Sequence, residues 1–292
     1  MTRRHTLAEL VLGIEGLALL RGLIAGTDDE AAARVDDIRR VVEDGDERLS
    51  APIAHPERSV QDGYAAWSAT YDAPGNPLIQ LEETVLLPLL DDLPAGRALD
   101  AACGTGRVSS LLAARGHEVL GVDTSPEMLA RAREKVPDGT FVDGRLEALP
   151  VDDGGFDLAV CCLALDHCAD LAPPMAEFAR AVRPGGRVIL TDIHPAMVHL
   201  GGQAAYVDAA GARAFVRAHP HLHSDYLSAF RAAGLEVDAL IEPPPNRAWF
   251  EMQKGAWSNA PDAFVRAFDG IPAAIVWSLV RRRGPARHPT RR

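Results

Sequence analysis

The stretch Leu99-Asp100-Ala101-Ala102-Cys103-Gly104-Thr105-Gly106-Arg107 decides the fold, together with Gly121-Val122-Asp123-Thr124-Ser125-Pro126-Glu127-Met128-Leu129 downstream. A short apolar run ends in a glycine-rich turn, and helical spacing resumes at Arg107. Glycines at 104 and 106 let the backbone come close to a ligand, and the helix that follows offers free N–H groups at its start. A second apolar run ends at Asp123, seventeen residues after Gly106, where a carboxylate can accept both hydroxyls of a ribose. A dinucleotide fingerprint asks for a third glycine three residues after Gly106, and the chain has Ser109 there.

Outward from this point, short apolar runs alternate with helical stretches, the signature of βαβ units and a parallel sheet. Strands are expected at Arg97–Ala101, Glu118–Val122, Thr140–Val142, Phe156–Cys161, Arg187–Thr191, Leu235–Ile241 and Ala273–Val280. Helices are expected near Arg107–Arg115, Pro126–Lys135, Pro173–Val182 and Ser224–Ala233, with a turn at Pro184-Gly185-Gly186 and a stiff break at Pro243-Pro244-Pro245. The first fifty residues read as two helices: Leu7, Leu10, Val11, Ile14, Leu17, Ala18 and Leu20 recur at helical spacing, and Asp28, Asp29 and Glu30 open a second run through Val42, before Gly45 and Pro52 break the pattern. The expected organisation is a helical extension over residues 1–55, serving as a lid or a homodimer contact, ahead of one α/β domain over 56–292. Two stretches interrupt the alternation, near 194–223 and 246–272, and such insertions on an α/β scaffold usually carry substrate contacts.

The chain has 292 residues, of which 47% are apolar, enough for a sizeable core and too many for a disordered protein. Its 41 acidic against 30 basic residues give a formal charge of −11. Such a surface repels phosphate backbones and anionic lipid, so nucleic acid and membrane are poor partners and a small molecule is the expected one. The apolar stretch Leu7–Ala25 is interrupted by Glu9, Glu15 and Arg21, too polar to span a bilayer, and a cytoplasmic location is expected. Three of the four cysteines, Cys161, Cys162 and Cys168, crowd into eight residues with no paired CxxC motif, which points to reduced thiols and away from a disulfide framework or a structural metal.

An Asp at position 100 is awkward beside a pyrophosphate and well placed for a cationic ligand. With Gly104, Gly106 and Asp123 it suits an adenosine ribose joined to a zwitterionic amino acid through a positive sulfonium. Here the sequence resembles the class I S-adenosylmethionine-dependent methyltransferases, in particular the small-molecule group, from about Tyr64 to Val280. The ordered series Leu99–Arg107, Gly121–Leu129, Leu149-Pro150, Phe156-Asp157-Leu158 and Arg183-Pro184-Gly185-Gly186-Arg187 carries the resemblance. It implies a Rossmann-like sheet of seven mostly parallel strands with helices on both faces, the last strand antiparallel and inserted between the fifth and sixth. It also implies S-adenosylmethionine as cofactor and S-adenosylhomocysteine as product. By the same resemblance Ala102, Cys103, Gly104 and Gly106 line the methionine portion, with Asp100 near its amino group and Cys161 at the edge. Asp123 holds the ribose, and Thr124 and Met128 flank the adenine. The family's adenine-binding Asp is replaced here: Gly144-Arg145-Leu146 stands in its place, leaving the Leu146 backbone N–H, with neighbouring Asp143 as a substitute acceptor. Tyr64, Trp67 and Tyr71, at helical spacing before the core, are either a packed stripe or a lid whose faces attract the sulfonium.

Methyl transfer is an in-line displacement, so the protein supplies alignment, a dry pocket and sometimes a base. His167 follows the fourth expected strand and His194 the fifth, both at the carboxyl edge where ligands bind in such sheets. Each is a candidate base because imidazole titrates near neutrality. The segment His219-Pro220-His221-Leu222-His223-Ser224-Asp225-Tyr226 offers His221, His223 and Tyr226 as further catalytic or substrate-contacting candidates. Its alternating histidines are also a metal-ligand pattern, though a helix lead-in capped by Ser224 or Asp225 accounts for them without a metal. Trp249, Phe250 and Trp257 read either as an apolar substrate wall or as core. The leading expectation is a methyltransferase acting on oxygen or nitrogen, or on carbon, of a small molecule, by analogy in secondary metabolism. The rival is a non-methylating protein of the same fold that binds the cofactor for regulation or as a positive charge, and a dehydrogenase is a distant third.

Overall fold

The computed structural model describes residues 4–43 and 46–283, so Gly45 and the outermost residues of both expected units lie outside the described residues. The centre is a seven-stranded sheet made of β1 (Arg97–Ala101), β2 (Glu118–Asp123), β3 (Thr140–Asp143), β4 (Phe156–Cys162), β5 (Val182–Ile193), β6 (Leu235–Ile241) and β7 (Ala274–Arg281). Its order is β6-β7-β5-β4-β1-β2-β3, with β7 antiparallel to both neighbours and the other pairs parallel. This is the expected architecture, including the inserted antiparallel strand. The one marked difference in extent is β5, which starts at Val182 and runs through Pro184-Gly185-Gly186. Gly186 is needed there because an added Cβ would lie 2.8 Å from the Asp157 carbonyl oxygen on β4.

Alternation along the strands sends side chains to two cores. Leu99 and Ala101 of β1 and Ile275, Trp277 and Leu279 of β7 enter one. It is closed by Met175 and Phe178 of a helix at Ala172–Ala181 and by Tyr226 and Phe230 of a helix at His223–Ala233. Ala98 and Val276 face the other side, against Leu86 and Leu90 of a helix at Pro77–Asp91 and Val108 and Leu112 of a helix at Arg107–Ala114. Each fully buried large apolar side chain contributes about 1.5–3 kcal/mol, so the three-layer stack is held mainly by these two clusters. The helices in chain order are α1 (Leu7–Arg21), α2 (Asp28–Glu43), α3 (Val60–Trp67), α4 (Pro77–Asp91), α5 (Arg107–Ala114), α6 (Pro126–Lys135), α7 (Ala172–Ala181), α8 (Pro195–His199), α9 (His223–Ala233), α10 (Arg247–Met252), α11 (Lys254–Trp257) and α12 (Pro261–Phe268), besides one turn of helix at Glu47–Ser50. Capping follows the sequence: Asn76 accepts from the backbone N–H of Leu78 at 3.0 Å ahead of Pro77, and Ser125 accepts from Met128 ahead of Pro126.

The two interrupting stretches take different jobs. Residues after His194 form α8 and two strands, Ala204–Val207 and Arg213–Val216, and the second pairs with Glu57–Arg58 beside α3. The 246–272 stretch instead forms α10, α11 and α12, and these close on α1: Val11, Ile14 and Ala18 meet Trp249, Phe250 and Phe264 in one buried cluster. Of the two readings of Trp249, Phe250 and Trp257, the structure takes the core one, since their rings pack in the cluster that holds the N-terminal helix. No helix among the described residues is long and apolar enough to cross a membrane.

Candidate active site

The turn between β1 and α5 is shaped by its backbone. Ala102, Gly104 and Gly106 all have positive φ, at 59°, 53° and 77°. At Gly106 an added Cβ would lie 2.9 Å from the Ala132 Cα of α6, so glycine is required for packing as well as for conformation. At Gly104 the nearest atom to such a Cβ is the Met128 sulfur at 4.0 Å, leaving an open face beside the turn. Asp123, at the end of β2, uses one carboxylate oxygen to accept from Gly104 N (2.8 Å) and the other to accept from Ser125 N (2.9 Å). A carboxylate has about four lone-pair sites, so two remain for a diol. Burial pushes Asp123 up, and the backbone bonds oppose it. Thr124 follows on the rim, where its carbonyl accepts from Gln61 of α3. Gly144 is held between Val122 and Pro150 by close packing, and Leu146 leans on the core. The turn, the carboxylate and the open face fit a ribose joined to an amino acid.

Above the turn stands an aromatic group. Tyr64 and Trp67 of α3 stack at 5.7 Å, Trp67 meets Tyr71 edge-on at 5.1 Å, and Trp67 stacks on Tyr206 of the insertion at 5.1 Å. Asp72, next to Tyr71, accepts from the Thr105 hydroxyl (2.8 Å) and pairs with Lys135, tying this segment to the glycine turn. Tyr64 also reaches the end of β4. His167 Nδ1 lies 2.8 Å from the Arg217 carbonyl, which can only accept, so Nδ1 carries the ring proton. Nε2 is then the acceptor, 2.7 Å from the Tyr64 hydroxyl. The same Nε2 is 3.6 Å from Asp166 Oδ1, a buried oxygen with no hydrogen-bond partner among the described residues. Asp192 of β5 accepts from the Asp166 backbone N–H at 2.7 Å. Burial pushes both carboxyls up, and the Asp166 charge adds to the rise at Asp192, which goes well above the carboxylate range, while His167 and a hydrogen bond from Asp192 oppose the rise at Asp166.

Residues 99–190 match the family model for a methyltransferase domain. The chain is 40% identical over 116 residues to malonyl-[acyl-carrier protein] O-methyltransferase of Salmonella typhimurium, covering 40% of this chain and 46% of that one. Among solved structures it resembles an S-adenosylmethionine-dependent methyltransferase from Mesorhizobium loti, with a TM-score of 0.53 and 25% identity over 70% of this chain and all of that one. Residues 99–190 are a class I S-adenosylmethionine-dependent methyltransferase domain. The [4+2]-cyclase SpnF shares the fold at a TM-score of 0.56 and 19% identity, covering 79% of this chain and 99% of that one. The fold alone therefore does not decide the chemistry. The chain spans about half the length of the curated relatives it matches.

The cofactor of such a domain is S-adenosylmethionine, and the structure brings most of the expected cradle together while moving several candidates out of it. Asp100 lies beneath the methyltransferase turn, 1% exposed, accepting from the Ser109 hydroxyl at 2.6 Å; burial pushes it up to about 7. The residue that excluded a dinucleotide fingerprint thus ties α5 to β1. Cys103 is buried against Phe141. Cys161 is a correction: its thiol is enclosed in the main core and burial pushes it up, so it is a small hydrophobe. Arg145 is another, because its side chain is 73% exposed and pairs with Glu147. Asp143 stands in register beside Asp123 on the rim.

On the acceptor side, Tyr226 is buried between Phe230 and Trp277, and its hydroxyl stays 3.5 Å from Asp192, so it is a wall. His221 donates from Nε2 to the Cys168 carbonyl at 2.7 Å and is buried, which removes it as a base. His194 and His223 turn away from His167, and both bond Glu242 instead. The α9 start is capped by Asp225, which accepts from Leu222 N. One functional residue escaped the sequence reading. Glu82 of α4, fully buried, pairs with Arg107 at the head of α5 and accepts from Thr191 of β5. Its only sequence signal was an acidic residue within an apolar helical stripe.

Proposed function

We propose that this chain transfers a methyl group from S-adenosylmethionine to an oxygen or nitrogen of a small acceptor, with His167 as the proton-accepting residue. When bound, the cofactor supplies a methyl group on a positive sulfur. The observation that carries the reading is the placement of His167, whose Nδ1 faces the Arg217 carbonyl at 2.8 Å and whose Nε2 lies 2.7 Å from Tyr64, under the same aromatic cover as the glycine turn. Burial pushes the Tyr64 phenol well above its ordinary range, so it keeps its own proton and acts as a relay: it donates to Nε2 as it accepts from the acceptor. Asp166, with an oxygen 3.6 Å from Nε2, is placed to stabilise the imidazolium that results.

The name of the Salmonella relative raises a carboxylate acceptor on a carrier protein. The charge around His167 favours a neutral or cationic acceptor instead. Asp166 and Asp192 offer carboxyl groups rather than a cation, the Arg217 guanidinium is bound to Glu57, and Arg107 is committed to Glu82 and Glu83. Carboxylate recognition normally uses a free guanidinium or ammonium. The test is calorimetric titration with S-adenosylmethionine, followed by S-adenosylhomocysteine release with phenols, amines and a malonyl thioester. Micromolar cofactor binding with release on phenols or amines is expected. His167→Ala is expected to lower kcat by about 10²–10³ and leave cofactor affinity within about twofold. Release on the malonyl thioester alone would replace the acceptor class, and absence of cofactor binding would sink the whole reading.

A further inference from the structure

The carboxyl ends of β5 and β6 and the start of α9 bring together three side chains with no part in the scheme above. His194 Nε2 and His223 Nε2 each lie 2.8 Å from the same oxygen of Glu242, and all three atoms fall within 4.8 Å of one another. We infer that His194, His223 and Glu242 form a binding site for a divalent transition metal of the zinc class.

Two imidazoles and a carboxylate are the ligand types zinc prefers, at about 2.0–2.2 Å, which in tetrahedral geometry sets ligand atoms about 3.3–3.5 Å apart. The two nitrogen–oxygen separations, 2.8 Å each, are shorter than that, so a rotamer adjustment of roughly half an ångström at Glu242 admits the ion. The ligands sit on three elements anchored separately: His194 ends β5, His223 opens α9, and Glu242 follows β6 just before the stiff Pro243–Pro245 break. Their side chains grade from buried to open, at 7%, 39% and 34% exposure, which gives an entry path and leaves a fourth position facing water. Trp277 lies against His223, with ring centroids 6.1 Å apart. That ring also contacts Tyr226, so one aromatic layer separates this cluster from Asp192.

The hydrogen bonds add a specific consequence. His194 Nδ1 accepts from the Ala196 N–H at 3.1 Å, so Nε2 carries the proton and donates to Glu242. Ligation through Nε2 moves that proton to Nδ1 and ends the cap on α8. Metal binding and the α8 cap are therefore mutually exclusive, and α8 is the start of the segment leading to Tyr206 of the aromatic cover.

The test uses the full chain after treatment with a chelator. Calorimetry with zinc is expected to give one ion per chain at micromolar affinity or tighter. Cobalt is expected to give the visible bands of a tetrahedral nitrogen–oxygen site and to quench tryptophan fluorescence. His223→Ala and Glu242→Gln are each expected to weaken zinc at least about 100-fold, beyond what loss of a merely supporting contact does, and His219→Ala is expected to leave it unchanged. Zinc is also expected to speed hydrogen exchange across residues 195–199, an effect a non-specific ion would not produce. The proposal is overturned by absence of saturable binding into the millimolar range, by affinity indifferent to both variants, or by the thiolate charge-transfer bands of cobalt on cysteine. If His223→Ala fails to fold, the isosteric Glu242→Gln and the cobalt spectrum of the unaltered chain decide.

Discussion

The two ends of one sheet edge are built differently. The cofactor end, over β1, β2 and β3, draws on residues 99–146, and its key features are backbone conformation and one carboxylate. The acceptor end, over β4 and β5, is assembled from side chains at positions 64, 166, 167 and 192. A cradle made by backbone needs glycine at fixed spacing, so it leaves a local motif. A site made by side chains from three segments far apart in the chain leaves none. Variants at the cofactor end are thus expected to change affinity for the cofactor, and variants at the acceptor end to change turnover.

The largest effect is expected where the two ends are joined. Glu82 is fully buried between Arg107, which heads the cofactor helix, and Thr191, which lies on the acceptor strand. Replacing it with Ala leaves Arg107, itself 15% exposed, without its buried partner. The expected cost is about 3–5 kcal/mol in chemical denaturation, with both cofactor affinity and turnover impaired. A loss of turnover alone would show that the two ends are not coupled through this carboxylate.

The next effect belongs to the cofactor end and depends on pH. Asp100 is raised from 3.8 to about 7 by burial, so the folded chain keeps a proton that the unfolded chain has released between those values. The unfolded state binds fewer protons there, and stability falls as pH rises from about 4, levelling off above about 7. A shift of roughly three units corresponds to a swing on the order of 4 kcal/mol. Asp100→Asn cannot titrate and keeps a partner for Ser109, so its stability relative to the unaltered chain is expected to grow from pH 4.5 to pH 7.5. Parallel urea-denaturation profiles for the two proteins would rule out a protonated Asp100. Gly106→Ala follows, at about 2–3 kcal/mol, since a left-handed alanine and overpacking against Ala132 add together. Thermal melting and cofactor titration should both register it, and an unchanged affinity would mean the turn is not the cradle.

The same contrast explains what the sequence made legible. The strands follow from alternating periodicity, the seven-stranded sheet and its inserted antiparallel strand from the family resemblance that the ordered motifs carry, and Gly104, Gly106 and Asp123 from local spacing. The partners of His167 did not, because the Arg217 carbonyl and Tyr64 lie 50 and 103 residues away. His194 and His223 looked like neighbours of His167 because all three are near the carboxyl edge, but both bond Glu242, with His223 against Trp277, whereas His167 bonds Tyr64 and the Arg217 carbonyl. Trp249 and Phe250 were ambiguous for a related reason: an aromatic residue in an insertion has no periodic signal to tell a ligand wall from a helix anchor. Arg107 was visible as a helix start, while its buried carboxylate partner, 25 residues earlier, was not.

The smallest effect is expected at Arg145, which replaces the acidic residue of the family pattern. Were its side chain part of the cradle, removing it would alter affinity strongly. Its guanidinium is instead 73% exposed and 3.4 Å from Glu147, an interaction of the surface kind worth about 0–1 kcal/mol. What holds the local turn is backbone: Gly144 N donates to the Asp123 carbonyl at 3.2 Å, and Gly144 is packed against Val122 and Pro150. Arg145→Ala is therefore expected to leave S-adenosylmethionine affinity within about twofold, corresponding to less than about 0.5 kcal/mol. Arg145→Asp tests the other side of the same reasoning, since a carboxylate there adds an acceptor for the adenine amino group without disturbing the Gly144 backbone. Tighter binding by Arg145→Asp with no change in Arg145→Ala would show that the adenine end of the cradle is intact in backbone and lacks only its side-chain acceptor. Weaker binding by Arg145→Ala would place the guanidinium on the cofactor and contradict its solvent-facing position.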